Sequence, residues 1–134
     1  MLLKNYTEEQ IKNLTEIIKD SVRENKYTIS LEENKNENIQ FIEEYNITEN
    51  KLIDILFNLE YTDFCYGIQN MKDGIELEDL YVFCPKNELH DINGMKVIVD
   101  IYIKLYILEI TPNEYRIIIS LHERNKPITY LFKE

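Results

Sequence analysis

Apolar positions recur every three or four residues in the first part of the chain and every second residue in the last part. Ile11, Leu14, Ile17, Ile18 and Val22 keep helical spacing. Thr7, with Gln10 three residues on, forms a capping box before them, which predicts a helix over about 8–25. Tyr27, Ile29 and Leu31 alternate with polar neighbours, the signature of a short half-buried strand. After a polar stretch at 32–38, Ile39, Ile42 and Tyr45 are the expected buried stripe of a second helix. Thr48 caps a third, in which Leu52, Ile55, Leu56 and Leu59 fall three and four apart.

Beyond Glu60 the pattern becomes extended. Residues 61–76 are mixed, with Gly67 and Gly74 as breaks, and Leu77–Cys84 reads as a strand stopped by Pro85. Asn93-Gly94 is a turn signal. Val97, Val99, Ile101, Ile103, Leu105 and Ile107 then alternate with Asp100, Tyr102, Lys104 and Tyr106. Thr111-Pro112-Asn113 turns the chain into a last strand. There Tyr115, Ile117, Ile119 and Leu121 share one face, and Arg116, Ile118, Ser120 and His122 the other. Helices first and strands last predict an α+β fold, with N-terminal helices packed on an antiparallel sheet. The 134 residues suit one domain, helical over about 7–60 and sheet over about 77–132.

Register converts this alternation into geometry. A three-residue loop pairs 110 with 114, which sets Tyr102 opposite His122 and Lys104 opposite Ser120. The same register puts both aliphatic faces on one side, whereas a slip of one residue would push half of them into water. The polar face thus gathers Tyr, His, Lys, Ser and Arg on a rigid support. Histidine suits proton transfer near neutral pH, and Lys and Arg can hold a phosphate. An exposed sheet face also carries such residues without any chemistry.

Charge bears on the partner. The formal net charge is −10, which opposes non-specific binding to nucleic acid. The first 96 residues hold ten Lys and Arg against twenty Asp and Glu, and the remainder five of each. Residues 116–134 hold four basic side chains against two acidic ones, so an anion meets the C-terminal end first. The acidic stretch Glu32–Glu49 reads as a solvated helical face or a surface for a basic partner. His90 beside Asp91 and Glu88 reads as a solvated turn. Cys65 and Cys84 have no metal-ligand spacing and read as small core residues, so no metal or cofactor is expected. Met1-Leu2-Leu3-Lys4 runs into polar sequence, unlike a secretory leader, and no apolar run is long enough for a membrane span. The cytoplasm is the expected compartment.

Four segments, in order, resemble the MqsR family of type II toxin–antitoxin toxins. They are Asn58-Leu59-Glu60-Tyr61-Thr62-Asp63-Phe64, Leu80-Tyr81-Val82-Phe83, Ile101-Tyr102-Ile103-Lys104-Leu105, and Ile119-Ser120-Leu121-His122-Glu123 followed by Pro127, Tyr130 and Phe132-Lys133. The resemblance runs from about Lys12 to the end. It implies a RelE-like fold and an mRNA interferase, a metal-independent endoribonuclease acting on mRNA and neutralised by an antitoxin. The family's site Tyr matches Tyr102. Its C-terminal Lys corresponds to His122, another Lys to Tyr66, and a Gln to Glu78. His122, Tyr102 and Lys104 are the candidate catalytic residues, and Tyr66, Glu78, Tyr81, Arg116, Ser120 and Arg124 the candidate substrate-binding ones; Lys104, Arg116 and Arg124 enter by position and charge, not through the resemblance. The alternative is a non-catalytic acidic interaction or inhibitor protein, phage- or host-defence-related, on the same fold. A third reading is a nucleotide or small-ligand binder on the Tyr-rich face.

Overall fold

The computed structural model describes residues 2–30, 35–72, 74–76 and 78–133. It is an α+β fold, with helices in the N-terminal half and a largely antiparallel sheet in the C-terminal half. The elements are β1 (Leu2–Leu3), α1 (Glu8–Arg23), β2 (Tyr27–Ile29), α2 (Lys35–Glu44), α3 (Glu49–Phe57), a 3-10 turn (Tyr61–Asp63), β3 (Phe64–Ile68), β4 (Met71–Lys72), β5 (Ile75–Glu76), β6 (Leu80–Phe83), β7 (Lys86–His90), β8 (Lys96–Thr111) and β9 (Glu114–Glu123). The sheet order is β1-β3-β6-β8-β9-β2, with β7 paired to the first part of β8. β2 runs parallel to β9, and the other pairs in the sheet are antiparallel.

α1 begins where its capping box places it: Thr7 Oγ1 accepts from the Gln10 amide, and the Gln10 side chain accepts from the Thr7 amide. It ends at Arg23, two residues short of the expected end, because Asn25 turns left-handed (φ 59°) and the chain reverses into β2. Thr48 caps α3 through the Lys51 amide. Ile11, Leu14 and Ile18 of α1 and Leu52, Ile55 and Leu56 of α3 pack on the sheet face bearing Ile101, Ile103, Leu105, Ile117, Ile119 and Leu121. β8 and β9 pair as the alternation requires, Tyr102 opposite His122 and Lys104 opposite Ser120. Only the tip differs from expectation. Thr111, not Ile110, pairs with Glu114, and the ladder shifts between Glu109 and Thr111. A two-residue Pro112–Asn113 turn preceded by a bulge replaces the three-residue loop without disturbing the register behind it.

Other departures have identifiable causes. In α2 the buried positions are Asn38 and Phe41, followed by Tyr45 just past its end, whereas Ile39 is exposed. The buried stripe carries a polar residue, which an apolar-only pattern skips. β3 and β7 are strands where the sequence shows mixed or turn-like character, and His90 is the exposed last residue of β7. β6 begins at Leu80; Leu77 lies outside the described residues, as do Leu31, Glu32 and Glu33.

The second sheet face is not open to water near Tyr102. Residues 124–133 fold back across it. Ile128 and Tyr130 pack on a cluster of Cys65, Tyr66, Val82, Cys84 and Tyr102. The Tyr130 hydroxyl donates to the Cys84 carbonyl at 2.7 Å, and the Leu131 amide donates to the Phe64 carbonyl at 3.1 Å. Burial pushes the Cys65 thiol up to about 12 and the Cys84 thiol up to about 11.

α2 runs along β9 beyond the point where β2 stops pairing. Asn38, fully buried, fixes it there: its Nδ2 donates to the Ser30 carbonyl at 3.1 Å, and its Oδ1 accepts from Ser120 Oγ at 3.2 Å. Asn38→Ala removes both hydrogen bonds. It is expected to lower stability by about 1–3 kcal/mol, read as a lower urea midpoint; an unchanged midpoint would show that water replaces the amide without loss.

Candidate functional site

The site starts from the register of β8 and β9. Tyr102 and His122, directly opposed, stack with ring centroids 5.2 Å apart and planes 20° apart. Lys126, from the returning C-terminal segment, places Nζ 4.9 Å from the Tyr102 ring centroid. The next pair along the same face is Asp100 and Arg124. Asp100 accepts from Lys86 at 2.7 Å and from Arg124 Nε at 3.2 Å. Lys86, then Arg124, hold its carboxyl below the usual carboxylate range against the opposing effect of burial.

His122 is buried but not enclosed. Its Nδ1 lies 2.8 Å from the Glu123 carbonyl. A carbonyl only accepts, so the hydrogen of that bond sits on Nδ1, and Nε2 is left for exchange. Nε2 faces Glu37 Oε2 of α2 at 3.5 Å. The same Oε2 accepts from Asn125 Nδ2 at 3.1 Å. Around this pair lies an open cleft of about 210 Å³, lined by Glu37, Gln40, Phe41, Glu44, His122, Glu123 and Asn125. The Tyr45 hydroxyl donates to Glu123, so that carboxylate is already engaged.

Tyr102 contributes a ring rather than a free hydroxyl. Its oxygen lies 3.4 Å from that of Tyr66 within the second cluster. Burial, then the contact with Tyr66, raises the Tyr102 pKa. The phenol therefore stays protonated at neutral pH.

No family model matches the chain, and neither does any curated protein or solved structure.

The sequence-derived candidates divide into a cluster and outliers. Tyr102, His122, Ser120, Lys104 and Tyr66 share one sheet face, with Arg124 at its end. Arg116 is on that face too, but six residues from His122 along β9, about 20 Å. Its guanidinium is spent on β2, donating to the Tyr27 carbonyl at 3.1 Å and Thr28 Oγ1 at 3.0 Å. Tyr81 points to the opposite face, where it packs on Tyr6 and Phe64. Glu78 is exposed in the segment before β6 and lies near Tyr81 rather than His122. Reading the sequence missed Glu37, Asn125 and Lys126. A helix face at Asn38, Phe41 and Tyr45 would have pointed to α2 lying along β9, but nothing in the sequence marks Asn125.

Among the described residues no group of three or more His, Cys, Asp and Glu could hold a metal ion. No helix described is long and apolar enough to cross a membrane.

Proposed function

We propose that this chain is an endoribonuclease of the mRNA-interferase type, the toxin of a toxin–antitoxin pair acting on RNA in the cytoplasm without a metal. The observation that carries the reading is the placement of His122. It is fixed on a central strand opposite Tyr102, with Nδ1 satisfied by the Glu123 carbonyl and Nε2 turned into an open cleft. The ordered segments that resemble the MqsR family support it independently. In such a reaction the 2′-hydroxyl attacks the adjacent phosphorus and expels the 5′-oxygen, so the enzyme must move protons and steady negative charge. His122 moves a proton. Lys126 and Arg124, beside the Tyr102 ring and at the end of its face, supply positive charge for the phosphate, with Lys104 further along the strand. Tyr102 acts through His122 by stacking on it and is a positioning residue.

One observation favours a second reading. The cleft carries the carboxylates of Glu37, Glu44 and Glu123 around a single histidine, on a chain of formal charge −10. That surface suits a basic protein, and an acidic inhibitor protein would use it for binding alone.

The two readings separate in one experiment. Purified protein is incubated with free and ribosome-bound mRNA in the presence of a chelator, and new ends are mapped. The ribonuclease reading expects internal cuts that leave 2′,3′-cyclic phosphates. A folded protein that makes no cuts in either pool rejects it and moves the weight to the binding reading, for which pull-down with basic proteins is the next step.

A further inference from the structure

We infer that Glu37 is the general base that complements His122, an assignment that rests on the ribonuclease reading above. In-line cleavage of RNA needs two proton transfers on opposite sides of the phosphorus. One group takes the proton of the 2′-hydroxyl and another gives a proton to the departing 5′-oxygen.

The surroundings of His122 leave one carboxylate for the first task. The Tyr102 hydroxyl is turned away into the second cluster against Tyr66. Glu123 accepts from Tyr45. Among the described residues, Glu37 is the cleft carboxylate that faces His122, Oε2 to Nε2 at 3.5 Å. Its side chain is 46% exposed where that of His122 is 7%, so Glu37 is the member an incoming 2′-hydroxyl reaches first.

The fold holds Glu37 in place from both sides. Asn38, the next residue, is fully buried and tied to Ser30 and Ser120. Asn125 donates to the Glu37 carboxylate itself. In the free protein Nε2 and Oε2 face each other at 3.5 Å, and the phosphate enters between them so that the two groups come to flank the phosphorus.

The step balances. The Glu37 carboxylate takes the 2′-hydroxyl proton as the 2′-oxygen bonds to phosphorus. The bond from phosphorus to the 5′-oxygen breaks with its electron pair on that oxygen, which takes the proton from His122 Nε2. The products are a 2′,3′-cyclic phosphate and a free 5′-hydroxyl. Glu37 then holds a proton and His122 lacks one, so exchange with water resets the pair.

The test uses two substrates. One is RNA, whose leaving group is an alkoxide that needs an acid. The other is the set of four nucleoside 3′-(4-nitrophenyl phosphate) esters, whose leaving group departs without one. With wild-type protein both are expected to be cleaved. His122→Ala should lose about 10²-fold or more on RNA yet retain ester cleavage. Glu37→Gln, which keeps an oxygen to accept from Asn125, should lose about 10²–10⁴-fold on both. Glu37→Asp, with the carboxylate drawn back, should fall between. Thermal unfolding midpoints within a few degrees of wild type confirm that each variant folds.

Other outcomes overturn the assignment, and they do so separately. If His122→Ala is inactive on RNA while Glu37→Gln cuts at the wild-type rate, Glu37 is not the base and the ribonuclease reading stands. Faster cutting by Glu37→Gln than by wild type also overturns it and makes the carboxylate a plug in the site. If wild-type protein cleaves neither RNA nor any ester, the ribonuclease reading falls and the base role falls with it.

Discussion

His122→Ala is expected to abolish RNA cleavage while leaving the fold intact. The loss is large because the alkoxide leaving group must be protonated as it departs, and a positioned acid contributes about 10²–10⁴-fold to such a step. The fold survives because the interactions removed sit at the margin of the core. One is a hydrogen bond to the carbonyl of Glu123, a residue itself exposed; the others are a ring stack with Tyr102 and the 3.5 Å approach to Glu37. Tyr102 keeps its packing against Tyr66, Val82 and the two cysteines, and Lys126 still covers its ring. A cost of about 1–3 kcal/mol in stability follows from the lost contacts. The measurement pairs RNA end-mapping with far-UV circular dichroism and a thermal midpoint. Full cleavage by a folded His122→Ala protein would remove the histidine from the mechanism.

Alkali is expected to unfold the protein well before the ordinary range of tyrosine is passed. Cys65 and Cys84 are fully buried, and burial lifts their thiols from an ordinary value of 9.0 to about 12 and about 11. Burial, as the largest cause, also raises Tyr6, Tyr45, Tyr102 and Tyr130 above their ordinary 10.0. In each case the native value exceeds the unfolded one. The stabilisation is therefore complete below the unfolded value and is lost as pH climbs toward the native value, because the unfolded chain releases protons that the folded one retains. Between about pH 9 and pH 11 each fully buried thiol removes about 1.4 kcal/mol per pH unit. The urea midpoint should thus hold steady from about pH 7 to pH 8 and drop steeply above about pH 9.5. Replacing both cysteines by alanine should flatten the descent. A midpoint that does not move up to about pH 10.5 would show that the thiols and phenols are less enclosed than the returning C-terminal segment makes them.

The sequence was most legible where a single periodicity ruled. The β8–β9 register followed from the requirement that two rows of aliphatic side chains share one face, and that alone set Tyr102 against His122. Thr7 and Thr48 marked the starts of α1 and α3 because capping is local chemistry. The site around His122 was less legible, because its other half comes from far along the chain. Glu37 and Asn38 sit on a helix whose buried stripe mixes Asn38 with Phe41 and continues to Tyr45 just past its end, so counting apolar residues rotates the helix away from β9. The cover over the second face was hidden for a related reason. Ile128 and Tyr130 lie in a segment without regular structure, and no period announces which way an irregular chain folds back. Phe64 and Cys65 belong to a short strand with a register shift that breaks alternation.

The order of elements also has a consequence during synthesis. The apolar face of α1 is made early, but the strands that cover it lie at 101–121. At roughly 5–20 residues per second, Ile11, Leu14 and Ile18 wait on the order of 5–20 s before their counterpart has even been translated. Glu37 waits almost as long for His122. A ribosome-bound fragment therefore carries an uncovered helix and, on the proposed reading, half of the reactive pair, whose activity would begin only once the last strand and its returning tail have closed over the sheet.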